Sequence, residues 1–278
     1  MTIAESRLAL PLAALFVTFF LAPLLVLIVL SLHADAAMRV WTFAHYTKFF
    51  TDAFNYSILW ETLLLGLKAT LVCLVFAYPI AWVCARSGAR LQSIIVFLVI
   101  MPILTSVVVR TFAWIVILGR QGIINQIWLG LGLGSEPIRL LYTETGVIMV
   151  LAQVQMPLMV LPILTVISKI DPNLADASRV LGAGEWKTLW RVTIPLSLPG
   201  VIAGCILTYT ACITAFVTQT LIGGARLIYM PLHIYQQAVG ANNWPFAAAI
   251  SVVFMVAVLI IVGVLGALAR RSETYART

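Results

Sequence analysis

The chain has 278 residues, of which 62% are hydrophobic and only 10% charged, with a net charge of +7 and a mean hydropathy of +1.07. An ordinary soluble domain carries about 25% charged residues, so a water-soluble globule is excluded: the polar surface could not cover so large an apolar content. The excess positive charge falls mainly in short segments between apolar runs, which marks membrane topology and not a nucleic-acid surface.

Apolar runs long enough to cross a hydrocarbon layer of about 30 Å as helices recur along the chain, and we read six, at 8–32, 58–84, 91–118, 146–168, 199–221 and 246–268, within one transmembrane domain covering 1–278. The runs are continuous, not alternating, so helices are expected in place of a barrel: each satisfies its own backbone polar groups in lipid. Arg7 precedes the first run and Ala34-Asp35-Ala36 follows it, as in a cleaved signal. Its apolar stretch exceeds the roughly 7–15 residues of a signal core, and we expect a retained span. Pro79, Pro102, Pro157 and Pro162 lie inside spans two to four, where neighbouring helices can re-satisfy the backbone groups that proline releases.

Lysine and arginine divide unevenly between the two sides. One side holds Arg7, Arg86, Arg90, Lys169, Arg179, Lys187, Arg191, Arg270, Arg271 and Arg277; the other holds Arg39, Lys48, Arg120, Arg139 and Arg226. The positive-inside rule therefore places both termini in the cytoplasm. Lys68 and Arg110 fall within spans, while Glu61 and Glu144 read as lying near external span ends. Arg110, with Trp114, Gln153 and Gln155, forms a set of candidate pathway groups, although polar side chains also fasten membrane helices to one another. Lys68 reads as structural, able to carry its charge outward on a long stem.

The motifs of an energy-converting enzyme are missing from the sequence. It has no Gly-Lys pair and hence no phosphate loop, no G-x-S-x-G elbow and no H-E-x-x-H pair. Gly130, Gly132 and Gly134 do not make a dinucleotide fingerprint. His33, His45 and His233 fall in expected external segments, which argues against haem ligation within the bundle. Cys73, Cys84, Cys205 and Cys212 show neither zinc nor redox spacing. Neither a metal site nor a cofactor of this chain is expected, and the remaining classes are transport or a structural membrane role.

Between spans four and five, the cytoplasmic loop 169–198 concentrates charge. Asp171-Pro172 is a helix start, since Asp can cap free N–H groups and Pro tolerates the first helical position. Leu174, Ala177, Ser178 and Leu181 then recur at helical spacing, and Gly182 and Gly184 can end the element. A second short turn is expected with Trp186, Leu189 and Trp190 on one face, after which Pro195 and Pro199 steer the chain back to the membrane. The element suits either an interfacial connector or a docking site for a soluble partner.

This segment resembles the cytoplasmic signature of binding-protein-dependent ABC importer permeases, E-A-A-x-x-x-G-x9-I-x-L-P, which here reads Asp176-Ala177-Ser178, Gly182, then Val192-x-Ile194-Pro195. The resemblance implies an all-α transmembrane fold, a six-helix type I ABC importer permease with a cytoplasmic coupling helix. It also implies that two ATPase subunits carry ATP and Mg, that a second permease, homologous or identical, completes the path, and that an extracytoplasmic binding protein delivers the solute. Asp176 and Arg179, with Ser178 beside them, would then meet the ATPase; Ala177 and Gly182 would permit close approach, and Pro195 would set the return angle. The site would be a bacterial inner membrane.

The stretches 107–125, 137–143 and 242–249 further resemble the spermidine/putrescine permease subfamily, through Arg110-Thr111-x-Ala113-Trp114 and Trp244-Pro245-Phe246. A polyamine cargo follows from that resemblance. Opines, other amines, phosphonates and ferric iron are the alternatives, since importers of those solutes resemble this chain in the same stretches; a polycation favours acidic or aromatic lining, whereas both intramembrane ions here are positive. Outside the importers, the rivals are an ion-gradient-driven secondary carrier and a structural subunit of a membrane complex. The external stretches 121–141 and 223–245 are candidates to meet a binding protein or to lie along the membrane surface.

Overall fold

The computed structural model describes the backbone of residues 3–275 and the side chains of residues 11–12, 14–171, 173–174 and 176–267. The side chains of Arg7, Arg270, Arg271 and Arg277, counted for orientation, lie outside these. The described chain is almost wholly helical. Five helical segments are long and apolar enough to cross a membrane, and a sixth span forms if one bent pair is counted as a unit.

Sequence reads as one transmembrane domain; contacts group the chain into two compact units, one from the described parts of Met1–Leu59 and Leu232–Ala257, the other from Trp60–Pro231 and the described part of Val258–Thr278. In the first unit, α1 (Ile3–Ser31) is followed by the short α2 (Ala44–Thr51) and the start of α3 (Ala53–Arg86); α13 (Met230–Tyr235) from Leu232 onward and the opening of α14 (Trp244–Tyr275) complete it. Its buried centre combines Phe49 and Phe246 with His33, Asn55 and His233. The Ser31 and Tyr46 hydroxyls meet at 2.6 Å, Lys48 Nζ lies 4.4 Å from the Phe246 ring centre, and His233 Nε2 and Asn55 Oδ1 are 2.8 Å apart. Among the described side chains of α1, Phe16, Phe19 and Phe20 are exposed, as a helix that lies against lipid requires.

The second unit begins in α3, whose 34 residues extend for about 50 Å. That exceeds the hydrocarbon thickness of about 30 Å, so α3 must tilt or project beyond it. The expected third span, 91–118, is divided. α4 (Ala89–Ile100) passes into a 3-10 turn (Met101–Leu104), the chain turns extended at Thr105 and Ser106, and α5 (Val107–Leu118) begins afresh. Pro102, lacking an N–H, sits in that turn; its carbonyl accepts from the Thr105 backbone and hydroxyl.

The expected fourth span starts at Glu144, two residues early, because Thr143 caps α7 (Glu144–Val154) by accepting from Gly146 N at 3.2 Å. At Gln155 the axis turns by 45° into α8 (Met156–Ile167). Pro157 explains the turn: it cannot donate to the carbonyl four residues earlier, and its ring crowds that carbonyl.

The fifth span also departs from its expected limits of 199–221. Helix begins at Glu185 with α10 (Glu185–Thr188), continues through a π-turn (Leu189–Thr193) into α11 (Ile194–Ile213), and stops at Thr214. Pro195 and Pro199 therefore lie within a continuous run, after the π-turn, instead of breaking it. α12 (Phe216–Gly223) follows the break, and Gln219 Nε2 reaches back to the Cys212 and Ile213 carbonyls at 2.8 and 3.2 Å. A side chain thus replaces the backbone donors that the break withdrew.

α8 and α11 pack closely because their shared seam uses small residues. A side chain on Gly200 would lie 2.8 Å from the Pro162 carbonyl, and one on Gly204 would meet Met159 at 2.9–3.0 Å. Tyr78 and Ser197 hydroxyls, 2.9 Å apart, tie α3 to α11. α6 (Ile123–Gly130) is held by buried Asn125, which donates to the Gly119 and Ile138 carbonyls and accepts from Ile138 N.

Candidate functional site

The loop 169–198 folds as its residues require. Asp171 caps α9 (Pro172–Val180) by accepting from Asn173 N at 2.9 Å. At the other end Gly182 takes a φ of +79°, the left-handed conformation, and the Gly182 and Ala183 N–H groups donate to the Arg179 and Ser178 carbonyls. Gly184 does not share in the stop: it has extended geometry and opens α10.

Within the loop, Arg179 pairs with Asp176 at 3.1 Å and with Glu185 at 3.4 Å. Ser178 and Thr188 hydroxyls meet at 2.9 Å, fastening α9 to α10. The charges and the hydroxyl that sequence reasoning assigned to a partner are thus also used to shape the loop. Its apolar groups are left outside: Val180 is 88% exposed, Leu181 86% and Trp186 76%, and Ala177 is exposed as well. Behind the loop a cavity of about 420 Å³ is bounded by Arg86, Asp171, Asp176 and Arg179.

The candidate pathway residues separate into two pairs. Arg110 and Gln155 line one cavity of about 490 Å³ together with Thr214 and Thr218, so the breaks at Gln155 and Thr214 open on the same space. Arg110 Nη1 donates to Pro102 O at 2.5 Å, whereas Nε is buried with no partner. Trp114 Nε1 donates to Gln153 Oε1 at 3.0 Å, and Gln153 borders a different, mostly apolar cavity with Pro102 and Pro157. Gln155 Nε2 also reaches Ala211 O at 3.4 Å.

Sequence reasoning missed an ion pair. Lys68 Nζ lies 2.6 Å from Glu144 Oε1, with their side chains 47% and 45% exposed. The sequence reads Lys68 as structural and Glu144 as lying near a span end, and their separation of 76 residues conceals the contact. Buried Tyr229 senses Glu144 and Glu61 together: burial first, and then these two carboxylates, push its phenol well above its ordinary value.

Comparison with known proteins agrees with the architecture. The chain is 32% identical over 237 residues to the spermidine/putrescine transport system permease protein PotB of Haemophilus influenzae, covering 84% of this chain and 83% of that one. It is 35% identical over 219 residues to PotB of Escherichia coli K12, covering 79% of each. A bacterial alginate ABC transporter, solved in complex with an alginate pentasaccharide-bound periplasmic protein, contains a chain that superposes with a TM-score of 0.80 at 18% identity, over 96% of this chain and 94% of that one. That likeness is one of fold. The model of the binding-protein-dependent transport system inner membrane component matches residues 77–274, and the chain belongs to that family.

Proposed function

We propose that this chain is the permease subunit of an ATP-driven importer, in a bacterial inner membrane with both termini cytoplasmic, and that its cargo is a polyamine such as putrescine or spermidine. The observation that carries the reading is α9. It is capped by Asp171, stopped by a left-handed Gly182, and presents Ala177, Val180 and Leu181 uncovered beside an internally satisfied charge cluster. That is a firm, small-featured projection suited to a groove on another protein.

In this reading two separate ATPase subunits bind ATP and Mg, and their closure moves α9. Asp176, Ala177, Ser178, Arg179 and Gly182 form the docked element, while Pro195 lies in the helix that transmits the motion. Bends at Gln155 and Thr214 let half-helices shift separately, with Arg110, Trp114, Gln153 and Gln155 near the path. A second permease and an extracytoplasmic binding protein complete the assembly. The polyamine assignment draws on the names of relatives that share about a third of their residues with this chain.

The test is copurification from the native membrane with a C-terminal tag, combined with uptake of labelled putrescine into cells and ATP-loaded vesicles. An ATPase recovered with the wild-type chain and lost with Gly182→Arg, at equal permease level, is the expected result. Uptake that persists without ATP but follows an ion gradient would replace this reading with a secondary carrier.

A further inference from the structure

Lys68 and Glu144 form a charge pair in an otherwise apolar setting. Lys68 is at the middle of α3, in a segment of mean hydropathy 2.0. Charged side chains at such depth face a bundle interior, a water-filled space or another protein, not lipid. The pair is about half exposed in this chain, which leaves one side of it open to an approaching cation.

The pair's chemistry is specific. A lysine side chain is a four-carbon alkyl stem ending in a primary ammonium, which is also one end of a putrescine molecule. Glu144 is therefore already holding a tethered copy of the group that the proposed cargo carries. Glu61 stands seven residues before Lys68 on α3, two turns along the same face and about 10 Å away along the axis. Buried Tyr229 is within electrostatic reach of both Glu61 and Glu144, and all three residues belong to the second unit. An extended diamine or triamine has its second ammonium available for the second carboxylate.

Resting on the importer reading, we propose that Glu144 is an ammonium subsite of the transport path, occupied at rest by Lys68 and during transport by a terminal ammonium of the cargo, with Glu61 receiving the next. Lys68 then acts as a built-in competitor. It keeps Glu144 from standing unpaired when the path is empty and, by returning to it, favours release of the cargo. A tether of this length holds its ammonium at a high local concentration, so free amine must compete with it.

The competition predicts an unusual sign. Removing the cation of a merely structural ion pair leaves binding unchanged or weaker, whereas removing a competitor makes binding tighter. Equilibrium binding of radiolabelled putrescine is measured on the intact purified complex in nanodiscs, without binding protein, for wild type, Lys68→Met, Lys68→Arg and Glu144→Gln. Lys68→Met is expected to lower the Kd by about 1.5-fold to fivefold, the range of a partly exposed ion pair released. Lys68→Arg, which keeps the competing charge, stays near wild type, and Glu144→Gln loses most binding. Unchanged or weaker binding by Lys68→Met, or no putrescine binding by either wild type or Lys68→Met, overturns the proposal. Cellular uptake keeps the two readings distinct: a wild-type chain that imports putrescine while Lys68→Met fails to tighten binding refutes the exchange site and leaves the polyamine importer standing.

Discussion

Gly182 offers a direct test of the docking element because its cost can be isolated. At φ +79° it lies where an L side chain is strained, and a Cβ placed on it meets nothing within 4 Å. Gly182→Ala therefore introduces backbone strain without a clash, about 1–2 kcal/mol. Free in the exposed loop, the variant relieves that strain by unwinding the last turn of α9; docked, it cannot. The cost then appears in association, a weakening of about fivefold to thirtyfold. Gly184→Ala is the matched control, since Gly184 has a φ of −69° and equally open space. Gly182→Asn should fall between them, because Asn tolerates the left-handed region better than Ala. The assay is titration of purified ATPase onto nanodisc-held permease. Equal affinities for Gly182→Ala and Gly184→Ala would refute the claim that the left-handed stop shapes the docked surface.

The α8–α11 seam and the buried histidine yield two further expectations. Gly200→Ala puts a methyl 2.8 Å from the Pro162 carbonyl and 2.9 Å from Val166, and should cost about 1–3 kcal/mol; Gly263→Ala, on α14 with nothing within 4 Å, should not destabilise. Thermal unfolding in detergent separates them, and equal midpoints would contradict the packing. His233 is held neutral chiefly by burial, which lowers its pKa below the ordinary value, with nearby Asp52 opposing the shift in part. Because the unfolded chain binds this proton more readily, its contribution to stability is complete above about pH 6.5 and is lost as pH falls through the lowered folded value. His233→Gln should flatten that part of the stability profile, and an unchanged acid limb would show that His233 does not create it.

Much of this architecture is legible in the chain because long apolar runs leave few alternatives, and the Asp171 cap and Gly182 stop are local signals that bracket α9. The internal breaks were harder to read. Pro102 and Pro157 marked two of them, but the stop at Thr214 has no proline. It depends on Gln219 bending back to satisfy the carbonyls of Cys212 and Ile213, a contact that hydropathy does not register. Pro195 and Pro199 misled in the opposite direction: the run from Glu185 continues past both, with Pro195 just after the π-turn at Leu189–Thr193 and Pro199 inside α11. Among the candidate path residues, polarity within a span identified Arg110 and Gln155, yet not that they share a cavity with Thr214 and Thr218. Glu144 reads as lying near a span end and is the first residue of α7, drawn into the helix by the Thr143 cap; its contact with Lys68 is what the sequence does not show.

The pairing of Lys68 with Glu144 also constrains how the chain is made. Its partner is synthesised 76 residues later, about 4–15 s at ordinary bacterial or cellular elongation rates. During that interval α3 enters the bilayer with an uncompensated lysine near its middle, a penalty of about 2.5–3.5 kcal/mol at a helix centre. Leu63, Leu64, Leu65, Leu67 and Leu71 surround it, each favouring insertion by about 0.3–0.6 kcal/mol. The leucine cluster thus holds the nascent helix in place until translation supplies the carboxylate, and thinning it would harm insertion before any transport step could be affected.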